Sequence, residues 1–319
     1  MKKIYLLALL FLASHLSAQI TVKDSDFASL GDSMLVSRAS AVDRINFSSN
    51  TPGQVWDFRA LDGFVQSQQQ LNFVSPFRTP YPANLLLNPG LAPAFLTTTG
   101  AEANDLSLSL PVGGGDVVLF DRVYDFFVKN QTLYENRFRG LSAQNFPILF
   151  NYTNPDEVYT FPINFGDSTF STFAYEFTIP ASVAALLSLP LPVDITVRAT
   201  GNRTNVVDGY GTVRLPLGDF EVLRMRTRIV TNFILLGLPI SIPFSQTENE
   251  LKFIAKDRKL PVVVLRGQGA GEAVSYTSIE FQDFDRLPEP AFTVESETSG
   301  CRPLTVAFVD RSFRANSLL

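Results

Sequence analysis

The chain has 319 residues, of which 26 are basic, 31 acidic and 45% hydrophobic. That hydrophobic content at this length buries a substantial core and rules against global disorder. An acidic chain without a basic tract is a poor partner for nucleic acid, whose binding rests on Lys and Arg neutralising phosphates.

The first element is the opening stretch, MKKIYLLALLFLASHLSAQ. Lys2 and Lys3 precede an uncharged apolar run from Ile4 to Ala13, and small Ala18 stands before Gln19. This is the pattern of a secretory signal peptide over residues 1–18, with a run too short to span a membrane. It predicts a secreted or outer-surface protein without a transmembrane span. Cleavage there removes the only histidine, His15, and two of the 26 basic residues, leaving 24 against 31 acidic ones and a net charge of −7. A chain with no histidine and one cysteine, Cys301, has no means for Ser-His-Asp or Cys-His catalysis, His-ligated metals or cysteine-cluster metals. No cofactor is expected.

The 28 Phe, nine Tyr and many Val, Ile and Thr suit pleated, half-buried strands. Twenty Pro and 19 Gly punctuate them at short intervals. Lys23 to Ser33 carries Asp24, Asp26 and Asp32 but lacks the ligand pattern of a calcium loop. A short helix is expected over Ser40 to Phe47. Trp56, the only tryptophan, sits in an alternating pattern and reads as a core anchor, with a sugar-stacking platform as the sharper alternative. Asp116 to Phe138 predicts a hairpin turning near Lys129-Asn130-Gln131. Ser168 to Ile179 predicts a strand with Phe173, Tyr175, Phe177 and Ile179 on one face. A second short helix is expected over Ala181 to Leu189, after Pro180.

Two segments echo each other, LLSLPLPVDI (Leu186 to Ile195) and LLGLPISIPF (Leu235 to Phe244). Leu186, Leu187 and Leu189 in one, and Leu235, Leu236 and Leu238 in the other, are candidates to line an apolar-ligand cavity. The ordinary reading is two packed arms of one sheet. Gly211 to Val230 predicts two strands about Pro216-Leu217-Gly218-Asp219, and Asp208-Gly209 also reads as turn chemistry. Glu250 to Gly267 predicts a hairpin turning at Lys256 to Lys259, and Glu272 to Phe284 a closing strand. GQGAG (Gly267 to Gly271) lies between strands, so it reads as a hairpin turn and not a phosphate loop, which needs a helix after it.

Two chemistries remain open. Glycoside hydrolysis needs only a pair of carboxylates, and Asp116, Asp121, Asp125, Glu176, Glu248 and Glu250 are candidates with no spacing that singles out a pair. Arg224, Arg226 and Arg228 share one face of a strand and form a possible anionic-ligand stripe. The favoured reading is a ladder in which Glu248 and Glu250, with the same period of two, neutralise the row from a neighbouring strand.

Pro288 and Pro290 mark a stiff linker, which places one large antiparallel β-domain over Gln19 to Arg286 and a second segment over 287–319. The stretch PEPAFTVESETSGCRPLTVAFVDRS, with Phe292, Gly300, Pro303, Phe308 and Asp310, resembles the first strands of a polycystic-kidney-disease (PKD) domain. That resemblance implies the start of an immunoglobulin-like β-sandwich, truncated here, with a partner for Cys301 on a later strand; the ordinary alternative is a small buried free thiol. TPGQVWDFRAL, YTFPINFGDSTFSTFAYEF and VDGYGTVRLPLGDFEVLRMR resemble the N-terminal region of secreted Bacteroidota proteins that often end in a type IX secretion tail. It implies export and supplies no activity.

The expected fold is therefore all-β: a large antiparallel domain, either a curved sheet or half-barrel or a sandwich, plus the PKD-like strands. The leading expectation is an exported, non-catalytic surface or adhesion-type protein with a surface glycan or another surface protein as partner. The alternatives are an apolar-ligand carrier, favoured by a deep pocket, and a glycan-active enzyme, favoured by two facing carboxylates.

Overall fold

The computed structural model describes residues 20–39, 45–64, 67–87, 89–91, 95, 100–104, 108–112, 115–120, 122–143, 146–182, 193–237, 241–270, 273–284, 292–294 and 306–310. It is all-β. In chain order the strands are β1 (Ser33–Ala39), β2 (Gln54–Asp57), β3 (Ser67–Val74), β4 (Gly100–Asn104), β5 (Leu108–Val112), β6 (Gly115–Phe120), β7 (Arg122–Lys129), β8 (Leu133–Ala143), β9 (Phe146–Thr160), β10 (Ser168–Ile179), β11 (Ile195–Leu215), β12 (Gly218–Leu236), β13 (Ile242–Ala255), β14 (Val263–Ala270) and β15 (Ala273–Gln282). The chain divides into two compact units after Asp283, three residues before the boundary expected from the prolines. The second unit pairs β16 (Phe292–Val294) with β17 (Phe308–Asp310), and Phe292 meets Phe308 edge to face. Cys301 and the expected signal peptide lie outside the described residues.

In the first unit the ladder runs β10-β9-β8-β7-β4-β3-β1-β15-β14-β13-β12-β11, and β11 pairs again with β10. These twelve strands, all neighbours antiparallel, close on themselves; β2 adds to β11 in parallel as a thirteenth. The expected curved sheet thus goes further than a half-barrel. The predicted hairpins about Asn130, Pro216-Leu217 and Lys256–Lys259 are present as β7–β8, β11–β12 and β13–β14. In the last turn Asp257 and Lys259 adopt positive φ.

Several expectations change. Asp116 to Phe120 is not the first arm of the β7–β8 hairpin; it is β6, paired with β5 in a separate two-stranded sheet. Asp208-Gly209 is no turn. It is a bulge inside a 21-residue strand, where the register with β12 shifts between Val207 and Gly209. Gly267 to Ala270 belongs to β14, and Ala270 already pairs with Ala273, so the reversal is confined to the tip. Of the expected first helix, Ser40 to Arg44 lie outside the described residues and Ile45 to Phe47 are irregular. Ala181 and Ser182 are helical, and the rest of the second lies outside the described residues.

Alternation sorts the long strands into an inner and an outer face. The outer face of β10 and β11 is polar, with Glu176 bonded to Arg198 at 2.7 Å and Thr178 to Thr196 at 2.9 Å. A membrane barrel carries an apolar band there. No helix among the described residues is long and apolar enough to cross a membrane. Over β12 to β15 the outer face is instead covered by β2 and the 3-10 turn after it, and Trp56, Phe58 and Leu61 are fully buried against Leu251 and Phe253. Trp56 is a core anchor, with its indole N–H donating to the Ser49 carbonyl at 2.9 Å.

Residues 20–32 close one end of the barrel. Val22 bridges to Ile163, and the Phe27 ring packs on Tyr134, Tyr159 and Phe161, with centroids 5.9, 4.6 and 5.2 Å away. Lys129 Nζ donates to the carbonyls of Asp24 and Phe27. The Asp26 carboxylate accepts from the backbone N–H of Lys23 and Asp257, and that of Asp32 accepts from Ser29. These aspartates therefore hold turns, and no metal-binding cluster occurs among the described residues.

Candidate functional site

The inner face of β10 carries Phe173, Tyr175, Phe177 and Ile179, as the alternation of the sequence requires. β9 adds Phe150 and Tyr152, and β12 adds Phe233 and Leu235. Phe150 stacks on Phe177 at 4.6 Å, and Tyr152 meets Tyr175 edge to face at 5.0 Å. Gly201 on β11 makes room for this layer, because a Cβ there would lie 2.2 Å from the Phe173 ring. The result is an aromatic sleeve in the half of the barrel away from the Phe27 plug.

Nearer the plug the inward rows turn polar. On β11 the sequence Ile195, Val197, Ala199, Gly201 is followed on the same face by Arg203 and Asn205. Arg203 makes two bonds to Asp156 of β9, at 2.8 and 2.7 Å, with both side chains buried. Arg139 of β8 bonds Asp125 of β7 at 2.7 Å, and Asn136 bonds the same carboxylate at 2.6 Å. Glu250 of β13 lies 2.7 Å from Lys252 and 3.4 Å from Arg266; Arg266 also reaches Glu280 at 3.5 Å, and Arg38 bonds Glu280 at 2.9 Å. Buried ions of this kind persist only when paired, because desolvation costs several kcal/mol per ion. Burial pushes the Glu250 carboxyl up, yet Lys252, Arg266 and Arg203 together pull it down to about 2.

Glu248 differs. It lies on the same inward face of β13, opposite Ile229 of β12. Its only hydrogen bond among the described residues comes from Gln246 Nε2 at 3.0 Å, and it makes no ion pair there. The barrel wall surrounds the side chain, yet its surface is exposed because it fronts the open lumen. Burial, then the nearby Glu250 charge, raise its pKa against the opposing charges of Arg139, Arg203 and Arg266.

The lumen holds two cavities. One, of about 290 Å³, lies within the aromatic sleeve; the other, of about 210 Å³, ends on Phe27. Arg139, Asp156, Arg203, Glu248, Glu250 and Arg266 border both, so the charged band is their common wall. One end of this space is apolar and aromatic and its middle is ionic. Such a lining accommodates a molecule with an apolar body and a polar end.

The sequence-predicted residues fall as follows. The expected ladder does not form. Arg224, Arg226 and Arg228 stand opposite Phe253, Leu251 and Asn249, so Glu248 and Glu250 project to the other face of the sheet. The acid beside the row is Asp208, delivered by the bulge in β11, with Arg226 Nε at 2.6 Å and Arg224 Nε at 3.8 Å. Arg224 is buried, which lowers its pKa, and Arg228 is exposed without an ion pair among the described residues. A stripe of three equivalent, open guanidinium groups is therefore absent. Leu235 is buried in the aromatic sleeve and Leu236 is half-buried; Leu186, Leu187, Leu189 and Leu238 lie outside the described residues. The strand ends that flank both leucine segments meet, with Ile179 paired to Ile195, Thr196 to Leu236 and Leu235 to Ile242. These described strand ends thus lie at the same end of the barrel, opposite the plug.

Among the carboxylates, Asp125, Glu248 and Glu250 enter the lumen, while Glu176 faces outward. Asp116 lies on β6 and Asp121 outside the described residues. Asp156, Arg139, Arg203, Lys252 and Arg266 escaped sequence reasoning. Part of the signal was available: on β11 Arg203 continues the inward alternation begun by Ile195, Val197 and Ala199. Comparison with protein-family models, curated proteins and solved structures gave no match.

Proposed function

We propose that this chain is an exported binding protein that holds a small amphiphilic molecule inside its barrel, with the apolar part in the aromatic sleeve and the polar end at the charged band. The observation that carries this reading is the two-sided lining of the lumen. Export is supported by the lysine-led apolar run at residues 1–18 and by resemblance to secreted Bacteroidota proteins. The β16–β17 pair and the sequence around Pro303 support a role for residues 287–319 in a PKD-like spacer at the cell surface. The hydrolase reading gains less. Asp125, Asp156, Glu250 and Glu280 are each bonded to a cation, so among the described residues no second free carboxylate stands beside Glu248 in the lumen.

The test uses N-phenyl-1-naphthylamine, a neutral apolar dye that brightens when it leaves water. The protein should bind it saturably. Thr231→Trp, which fills the sleeve from β12, should abolish binding while leaving the β circular dichroism intact. A wild-type protein that does not brighten the dye, or a variant that binds it as well, would overturn the lumen reading.

A further inference from the structure

We infer that Glu248 makes the lumen selective for amphiphiles with a cationic, amine-type head group, an inference that rests on the lumen being a binding site. The ionic band holds five cations, Arg38, Arg139, Arg203, Lys252 and Arg266, and every one is engaged by a carboxylate. An anionic head group entering from the sleeve must compete with those bonds. Four of the five carboxylates are engaged in the same way. Glu248 alone offers lone pairs that no arginine or lysine fills, since a single amide N–H from Gln246 is its partner among the described residues.

Position makes this carboxylate useful. It borders both cavities and fronts the lumen, so a head group carried through the aromatic sleeve reaches it without displacing an ion pair. The sleeve suits such a guest. The rings of Tyr152, Tyr175 and Phe177 line the same cavity, and their faces attract a cation on its way to the carboxylate. An ammonium leaving water needs an anionic partner to offset its desolvation. Conversely, the Glu248 charge is held in an enclosed space beside Glu250, an arrangement that a bound cation relieves. A neutral alcohol of the same chain length gains the sleeve contacts alone.

The experiment displaces N-phenyl-1-naphthylamine from the whole protein at neutral pH with octylammonium, octanol and octanoate. A charge-assisted bond predicts that octylammonium competes at least about tenfold better than octanol, and that octanoate is the weakest. Glu248→Gln should hold octylammonium no better than octanol, each read against the variant's own dye affinity. An unchanged β circular dichroism spectrum shows that the variant is folded. Equal affinities for the three competitors in the wild type, or an amine preference that survives Glu248→Gln, would overturn the inference while leaving the lumen reading in place. Failure of the dye itself to bind would remove that reading, and this inference with it.

Discussion

Glu248 and Glu250 stand two residues apart on one face of β13, yet they act on stability with opposite signs. The folded pKa of Glu250 is depressed from an ordinary 4.5 to about 2. Its stabilising pairs are therefore present above about pH 4.5 and are lost as pH falls toward 2, where the unfolded chain takes up a proton first. Glu250→Gln strands Lys252 inside the barrel and removes one of the two carboxylates on Arg266, and should cost about 3–5 kcal/mol, read as a large fall in thermal midpoint at neutral pH. Glu248 is raised instead, so its favourable contribution belongs to low pH and is lost as pH rises through its folded value. Glu248→Gln should then raise the thermal midpoint at neutral pH. A lower midpoint for that variant would mean the carboxylate holds the barrel together through a bond not described above. The sequence made both glutamates visible as a period-two pair but matched them to the wrong arginines. The reason is register: with a period of two, a shift of one residue moves every side chain to the opposite face. Only the observed pairing of Thr227 with Glu250 decides which side they occupy.

At the scale of elements, local signals were reliable and long strands were not. The β7–β8, β11–β12 and β13–β14 hairpins are set by their own turn residues, which sequence shows directly. β11 hid its length because Asp208-Gly209 looks like turn chemistry. In the folded chain Asp208 meets Arg224 and Arg226, while elsewhere on the strand Gly201 admits the Phe173 ring and Gly211 admits β2. At Gly211 a Cβ would sit 1.9 Å from the Gln54 carbonyl oxygen, so no side chain fits while β2 is paired there. Gly211→Val should undock β2 and expose Trp56, which is fully buried against Phe253 at a ring distance of 4.9 Å. The expected signature is a red-shifted tryptophan emission, readily assigned because Trp56 is the only one. Unchanged emission and stability in Gly211→Val would show that the parallel β2–β11 contact does not hold the outer core.

At the scale of the whole molecule, closure of the barrel was not legible. The pairs that complete it, β1 with β15, β4 with β7 and β10 with β11 against β9, join segments whose register no local turn fixes. For the same reason the charged band, assembled from β1, β7, β8, β9, β11, β13, β14 and β15, could not be foreseen as one site. The chain divides into two units after Asp283, three residues before the boundary expected from Pro288 and Pro290. Residues through Asp283 form one unit with its own cores, and that strand set closes without any residue beyond Gln282. In the second unit the described strands β16 and β17 are three residues each, and Phe292, Val294 and Phe308 are exposed. A sandwich core needs two sheets to cover it, and this pair supplies neither covering layer by itself. Removing residues 288–319 should therefore leave the thermal transition of the barrel where it was, with amide protons of β10 to β15 exchanging as slowly as before. Dye binding in the sleeve should survive as well, because the described lining of both cavities belongs to the first unit. A large loss of stability, or of dye binding, in the shortened protein would show that the barrel depends on its C-terminal segment.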